Sequence, residues 1–455
     1  MLHTDKAYIR ELRARIESGR DSELQAMLSE LHPTDVAEVF DMVRPDEAEY
    51  LFRLLNNEGK SDVLIELETD VREDLLSNLT AAEIAGDVLE GLDSDDAADV
   101  MAGLPEEKAE EVIRLIEDDE QASDIRDLLN YAEGTAGALM AKELVKVFRD
   151  WTVNRAIREI RRQAAELDNV YTIYVVDDED RLTGRLSLKH LLLSASTTRT
   201  KIEELQDQED IISIEAHEDG EKAVKLMERY DLVALPVLDP LGRLVGRITI
   251  DDAVDVIIEE SERDYQLASG ISEDVESRDS VWTLTRARLP WLLIGLGGGI
   301  GGAYVIGAFE LERNPGMALF IPLIAAMGGN VGVQSAAIVV QGLASSAISA
   351  GDVLGRLSKE LGVGLLNGII CSILILGASR TLGFSTPLSI TVSIALLCVI
   401  VFAALFGTFV PLMLHRYKID PALATGPFIT TANDIIGLII YFAVGSAVAQ
   451  LFLNA

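Results

Sequence analysis

The period of the apolar positions changes along this chain, and each change predicts a different kind of structure. From residue 21 to 130 a short theme recurs, as LHPTDVAEVF at Leu31, VRPDEAEYLF at Val43, LTAAEIAGDVL at Leu79, LDSDDAADVM at Leu92 and LPEEKAEEVI at Leu104. In each copy an apolar residue precedes a capping Thr, Asp or Ser, or a Pro at the first turn. Acids and then apolar residues at helical spacing follow. Such helices run only two or three turns and cannot bury a face alone, so they are expected to stack into an all-α superhelix over residues 1–131.

Residues 132–257 switch to β-branched runs alternating with helical ones, and they contain a gapless internal duplication. IYVVDDEDRLTGRLSL from Ile173 lies on LPVLDPLGRLVGRITI from Leu235, pairing Asp177 with Asp239, Arg181 with Arg243 and Gly184-Arg185 with Gly246-Arg247. Each copy reads as helix, buried strand, Asp/Gly turn, strand and helix. The pattern resembles a pair of CBS (cystathionine β-synthase) domains, over 132–199 and 200–257, which implies an α/β unit with a nucleotide-sized cleft. By that resemblance Thr249 and Asp252 stand where members that bind adenosine phosphates place a hydroxyl and a ribose-binding acid. The first copy has Ser187 but His190 in place of the acid. An adenine nucleotide is therefore an open possibility, with regulation by a cation preferred.

Residues 258–288 are polar and helix-prone, interrupted at Gly270, and read as a connecting helix or lever. Beyond them five uncharged stretches, each near the ~20 residues that cross a hydrocarbon core, predict spans at 289–309, 317–345, 361–379, 387–413 and 424–452. With the N-terminus inside, the internal loops carry Arg286, Arg288, Arg356, Lys359, Arg416 and Lys418, against Arg313 and Arg380 outside. That bias supports this orientation and leaves the C-terminus outside, with the plasma membrane as the expected location.

Charge sharpens the division. The chain carries a formal charge of −36, yet from Pro290 onward six acids and six bases cancel, leaving 69 acids and 33 bases ahead of it. A soluble acidic half joined to a lipid-embedded half disfavours nucleic acid and favours cations. A high-salt habitat would also explain part of the acidity. Cys371 and Cys398 form no CxxC pair, and the charged start MLHTDKAYIRELRARI lacks the apolar core of a signal peptide.

The chemistry centres on Asp434, the one charged side chain between Pro421 and the C-terminus. About ten residues into a span, or roughly 15 Å along its axis, it lies near mid-bilayer, where insertion costs about 3 kcal/mol. Thr430, Thr431 and Gly437 share its helix face by spacing. In the second span MGGNVGVQSAA places three Gly, Asn330, Gln334 and Ser335 inside an aliphatic helix. Spans two and five are thus read as a pore wall lined by Asn330, Thr430, Thr431 and Asp434. The bland alternatives are a protonated Asp bonded to a neighbouring helix and an amide-decorated packing motif.

PLIAAMGGNVGVQSAA, KELGVGLLNG and IDPALATGPFITTANDIIGLIIYF resemble the membrane domain of the MgtE magnesium channels, and the order of segments matches that family over the whole chain. The resemblance implies a homodimer in the lipid bilayer, with the two Asp434 carboxylates meeting hydrated Mg2+. It also implies cytosolic metal ligands at Asp95 and Asp99 in the N-terminal domain. Further ligands would be Asp231, Asp252 and Asp255 in the CBS pair, Glu260 and Asp264 on the connecting (plug) helix, and Asp420 in the last cytosolic loop. Arg263 stands where some members have an acid, and Val333 and Gly426 where some have Asn.

The implied function is Mg2+ import, closed by Mg2+ binding to the acidic cytosolic domains. The alternatives are transport of Co2+ or Mn2+, an intramembrane aspartyl catalyst, and a CBS-containing receptor without flux. No Walker motif points to ATP-driven pumping, and no enzyme activity is expected.

Overall fold

The structure is a computed structural model that describes residues 6–165, 167, 169–189, 191, 200–207, 211–272, 275, 279–309, 315–344, 353–424 and 426–453. Of the charged and candidate residues discussed above, His190 and Arg313 lie outside the described residues. The chain forms two compact units, Met1–Glu259 and Glu260–Ala455.

The first unit begins with a run of short helices from Lys6–Glu17 to Asp119–Leu128. Local chemistry starts several of them. His32 accepts from Thr34 N–H ahead of Pro33, Pro45 occupies the first turn of its helix, Thr80 and Glu83 form a reciprocal capping box, and Asp118 caps the last. Their inner faces share one continuous core in which Leu12, Leu24, Leu51, Phe52, Leu64, Ile84 and Leu89 are fully buried. The Leu79 copy departs from the expected short α-helix. Only Ala81–Glu83 is α-helical; the turn then widens to a π-helix over Ile84–Val88 and tightens to a 3-10 turn over Leu89–Gly91. The wider turn brings Ile84, Val88 and Leu89 to the core together, each with no exposed surface.

The duplication appears as two three-stranded sheets: β1 (Val145–Phe148), β2 (Ile173–Val176) and β3 (Leu182–Leu186), then β4 (Ile214–Glu215), β5 (Ala234–Leu238) and β6 (Leu244–Thr249). In each sheet the first strand runs parallel to the second, and the second antiparallel to the third. Even the register repeats, since Val175 faces Gly184 and Val237 faces Gly246. The Asp of each turn is a structural cap: Asp177 Oδ1 accepts from Arg181 N–H at 2.9 Å, and Asp239 Oδ1 from Arg243 N–H at 2.8 Å.

The helix Ile250–Ala268 carries the chain from one unit to the next. The connecting segment is therefore not one helix. It ends at Gly270, whose φ of +81° only glycine adopts without strain, and the next helix starts at Val281 after a cap by Ser280. Between them Ser272 donates through both N–H and Oγ to the Ala287 carbonyl.

Among the described residues of the second unit five helices are long and apolar enough to cross a membrane: Val281–Ala308, Ile321–Ala344, Val353–Thr381, Thr386–Arg416 and Pro427–Leu453, called the first to fifth spans. The first and third start eight residues earlier than uncharged length predicts. Arg286, Arg288, Arg356 and Lys359 end the apolar stretch without ending the helix, because helical hydrogen bonding continues into water. The third span packs on the fourth, the second on the fourth and fifth, and the first on the fifth.

Candidate functional site

The second and fifth spans enclose a cavity of about 330 Å³, lined by Ala325, Ala326, Gly329, Asn330, Val333, Gln334, Thr430 and Asp434. Gly329 makes this approach possible: a Cβ there would stand 3.7 Å from Asp434 Oδ1 and 3.2 Å from Thr430 Cγ2. Thr430 spends its hydroxyl proton on the Gly426 carbonyl at 2.9 Å, so the oxygen is left as an acceptor. Asn330 and Gln334 are exposed, and Asp434 is half-buried.

Thr431 departs from the predicted stripe. Its methyl faces the first span, where a Cβ on Gly298 would fall 2.0 Å from Thr431 Cγ2. Thr430 and Thr431 lie about 100° apart around the axis, and the first span occupies the second of those directions. Gly437 meets Val399 of the fourth span. Gly426 has φ +63°, and a Cβ would lie 2.4 Å from the Ala268 carbonyl oxygen. No side chain fits there, which accounts for Gly where the resemblance allows Asn. Further polar groups are buried in these spans: Ser335, noted in the sequence, donates to Glu360 at 2.7 Å, and Asn433, passed over there, is 1% exposed. Nothing in their apolar surroundings signals which way they point.

The first unit gathers a second set of carboxylates. Helix Ser94–Ala102 carries Asp95 and Asp96 in its first turn and Asp99 one turn later, preceded by Asp93. Burial, then the charges of Asp252 and Asp96, push the Asp95 carboxyl well above the ordinary range. Burial and Asp252 raise Asp96 to about 7. Asp99 reaches about 6 through desolvation, which with Glu259 and Asp252 outweighs the opposing Arg72. Burial likewise raises Asp252 against its hydrogen bonds from Thr249, and raises Asp255 with help from Asp252.

Glu143 joins from the segment ahead of β1, accepting from Ser94 N–H at 3.1 Å and Ser94 Oγ at 2.8 Å. One oxygen each from Asp93, Asp95 and Glu143 lie within 4.8 Å of one another. Crowded carboxylates in low dielectric hold protons unless a cation offsets them. This all-oxygen donor set suits a hard divalent ion such as Mg2+. The family resemblance implies Asp95 and Asp99 in LDSDDAADV; Glu143, alone in MAKELVKV, has no pattern to betray it.

The remaining predicted ligands have separate settings. Asp231 is exposed and ends helix Gly220–Tyr230 in the left-handed conformation, φ +51°. Glu260 and Asp264 lie one turn apart on helix Ile250–Ala268. Exposed Asp420 accepts from Ala422 N–H at 2.8 Å. Thr249 and Asp252 close on each other, Asp252 Oδ2 accepting from Thr249 N–H at 2.8 Å and Oγ1 at 2.6 Å. As arranged, that pair starts a helix rather than reaching outward.

Comparison with known proteins gives the family. A family model described as a divalent cation transporter, MgtE, matches residues 321–444; the MgtE intracellular N domain matches 31–134, and the CBS domain 136–196 and 202–259. The magnesium transporter MgtE of Bacillus subtilis is 32% identical over 437 residues, 95% of each chain. That of Thermus thermophilus is 32% identical over 459 aligned residues, 98% of each. A solved cytosolic domain of the Mg2+ channel MgtE in complex with ATP is 31% identical, covers 55% of this chain and 99% of its own, and superposes with a TM-score of 0.49. The chain is thus a member of the MgtE family of divalent cation transporters, with that family's N domain, CBS pair and multi-pass membrane domain in order along one polypeptide.

Proposed function

We propose that this protein imports Mg2+ across the plasma membrane as a homodimer, with the N-terminus and acidic domains in the cytosol, and that cytosolic Mg2+ closes it. The observation that carries the reading is the single cavity shared by Asp434, Asn330 and Thr430. At roughly 30 Å³ per water molecule, a space of 330 Å³ accommodates a dication together with its hydration shell. Mg2+ sheds water reluctantly. A carboxylate supplying charge, with amides and a hydroxyl accepting from the ion's waters, suits an ion that stays hydrated. Asn330 and Gln334 are exposed on the single chain, which supports a second copy completing the wall. An inside-negative potential contributes about 2.3 kcal/mol per charge per 100 mV, so passive flow is inward without ATP.

Closure follows from the acidic cluster. Asp95, Asp96, Asp99 and Asp252 repel one another when ionised, and a bound divalent cation would let these segments stay together. Such a cation biases the equilibrium only if the closed form offers the more complete site. Asp231, Asp255, Glu260, Asp264 and Asp420 are candidate ligands for the same control. An adenine nucleotide at the CBS pair stays an open expectation, with Thr249 and Asp252 hydrogen-bonded to each other in this structure. Mg2+ uptake into vesicles reconstituted with Asp434→Asn tests the proposal: flux should fall at least about tenfold, and undiminished flux overturns it. Competition by Co2+ and Mn2+ in the same assay tests the alternative cargo.

A further inference from the structure

Asn433, next to Asp434, has no part in the reading above. It is 1% exposed, and among the described residues neither Nδ2 nor Oδ1 has a hydrogen-bond partner. Its side chain fills a notch in the second span made by two glycines one turn apart. A Cβ on Gly332 would lie 1.9 Å from Asn433 Nδ2, and one on Gly328 4.0 Å from Asn433 Cβ. The fourth span closes the notch, Gly407 standing against the Gly332 carbonyl. An amide sealed without partners gives up its bonds to water and gains none in return. A leucine, with the same branching of heavy atoms, would place apolar groups in the notch and leave no polar atom unpaired there.

The amide is retained one helical step, about 100°, from a carboxylate that faces the cavity. A roll of the fifth span by about half that step would bring both side chains to the cavity together. The first half of this helix, where Asn433 lies, rests on glycines, whereas Tyr441 farther along is buried and donates to the Met317 carbonyl, so the roll is confined to that first half. Gly298, Gly301 and Gly302 of the first span face Thr431, Ile435 and Leu438, and Gly328, Gly329 and Gly332 of the second face the other side. Small residues let these backbones approach closely and leave no bulky side chain in the path of that roll. Once turned, Oδ1 can accept from a water of the hydrated cation and Nδ2 can donate to another, so both unpaired atoms are satisfied.

We infer that Asn433 is a further polar contact of the transport pathway, presented to the cavity when the path opens and withdrawn into the Gly328–Gly332 notch when it closes. The inference rests on closure by cytosolic Mg2+. The test uses the full-length chain in vesicles, with Cys371 and Cys398 replaced by Ala and Asn433→Cys introduced. Labelling by a charged thiol reagent and Mg2+ flux are both measured at low and high Mg2+. Labelling should be about tenfold or more faster at low Mg2+, following the open fraction. Equal labelling, or none, while Mg2+ still shuts the flux overturns the inference and leaves closure intact. Flux that Mg2+ does not shut overturns both. Asn433→Leu supplies a second readout: it should melt higher and transport at least about tenfold less. A lower melting temperature with unchanged flux per folded protein would mark a purely structural amide and overturn the role.

Discussion

Asp252, at the start of the helix that follows β6, raises the carboxyl of Asp95, in the first turn of a helix of the N-terminal array. Two carboxylates far apart in sequence thus share one desolvated site, and each makes the other's ionisation costlier.

This coupling predicts an unusual pH dependence. Asp96 and Asp99 titrate at about 7 and about 6 in the folded chain against 3.8 ordinarily. The folded state therefore binds more protons than the unfolded state between those values, and stability falls as pH rises through that window. Without divalent cations, the melting temperature of the first unit's transition should drop from about pH 4 to about pH 7. Saturating Mg2+ should flatten the fall. Acids with lowered values act oppositely and at lower pH. Glu83, held near 2 by its bonds from Thr80 and by Arg53, contributes stability that is lost only as pH falls from its ordinary 4.5 toward 2.

Asp96→Asn removes one buried charge while keeping the shape. In chelator it should raise the melting temperature by a few degrees at pH 7.5, with much less effect at pH 5, where the wild-type carboxyl is already protonated. The added stabilisation by Mg2+ should shrink, and more cytosolic Mg2+ should be needed to halve the flux. Equal Mg2+ stabilisation of both chains would exclude Asp96 from the site.

Packing of the first span on the fifth can be tested by a double substitution. Gly298→Ala puts a methyl 2.0 Å from Thr431 Cγ2, while Thr431 Oγ1 stays at 3.5 Å. Alone it should cost roughly 1–3 kcal/mol, read as lower thermal stability in detergent. Thr431→Ser removes the offending methyl and should restore most of the loss. Thr431→Val, by contrast, should transport normally if Thr431 serves packing alone.

Ser335→Ala leaves Glu360 without its 2.7 Å donor in a buried setting. The expected loss is about 1–3 kcal/mol. Glu360→Gln keeps an acceptor oxygen for Ser335 and should melt close to the parent chain. A Ser335→Ala chain as stable as the parent would show that the bond contributes nothing.

The amino-acid pattern by itself determined the division into an acidic helical array, a duplicated α/β pair and five spans, because period, capping residues and uncharged length are local properties. It also singled out Asp434 and Asn330, whose polarity is costly in an apolar stretch wherever the helix points. Direction around each helix was decided only by tertiary structure. Thr430 faces the cavity and Thr431 the first span, and Asn433 is sealed in a notch made by glycines of another span. Glu143 reaches Asp93 and Asp95 from a segment with no motif of its own. Spacing fixes an angle about a helix axis but not which neighbour fills it, and a pKa shift depends on the neighbours that folding delivers.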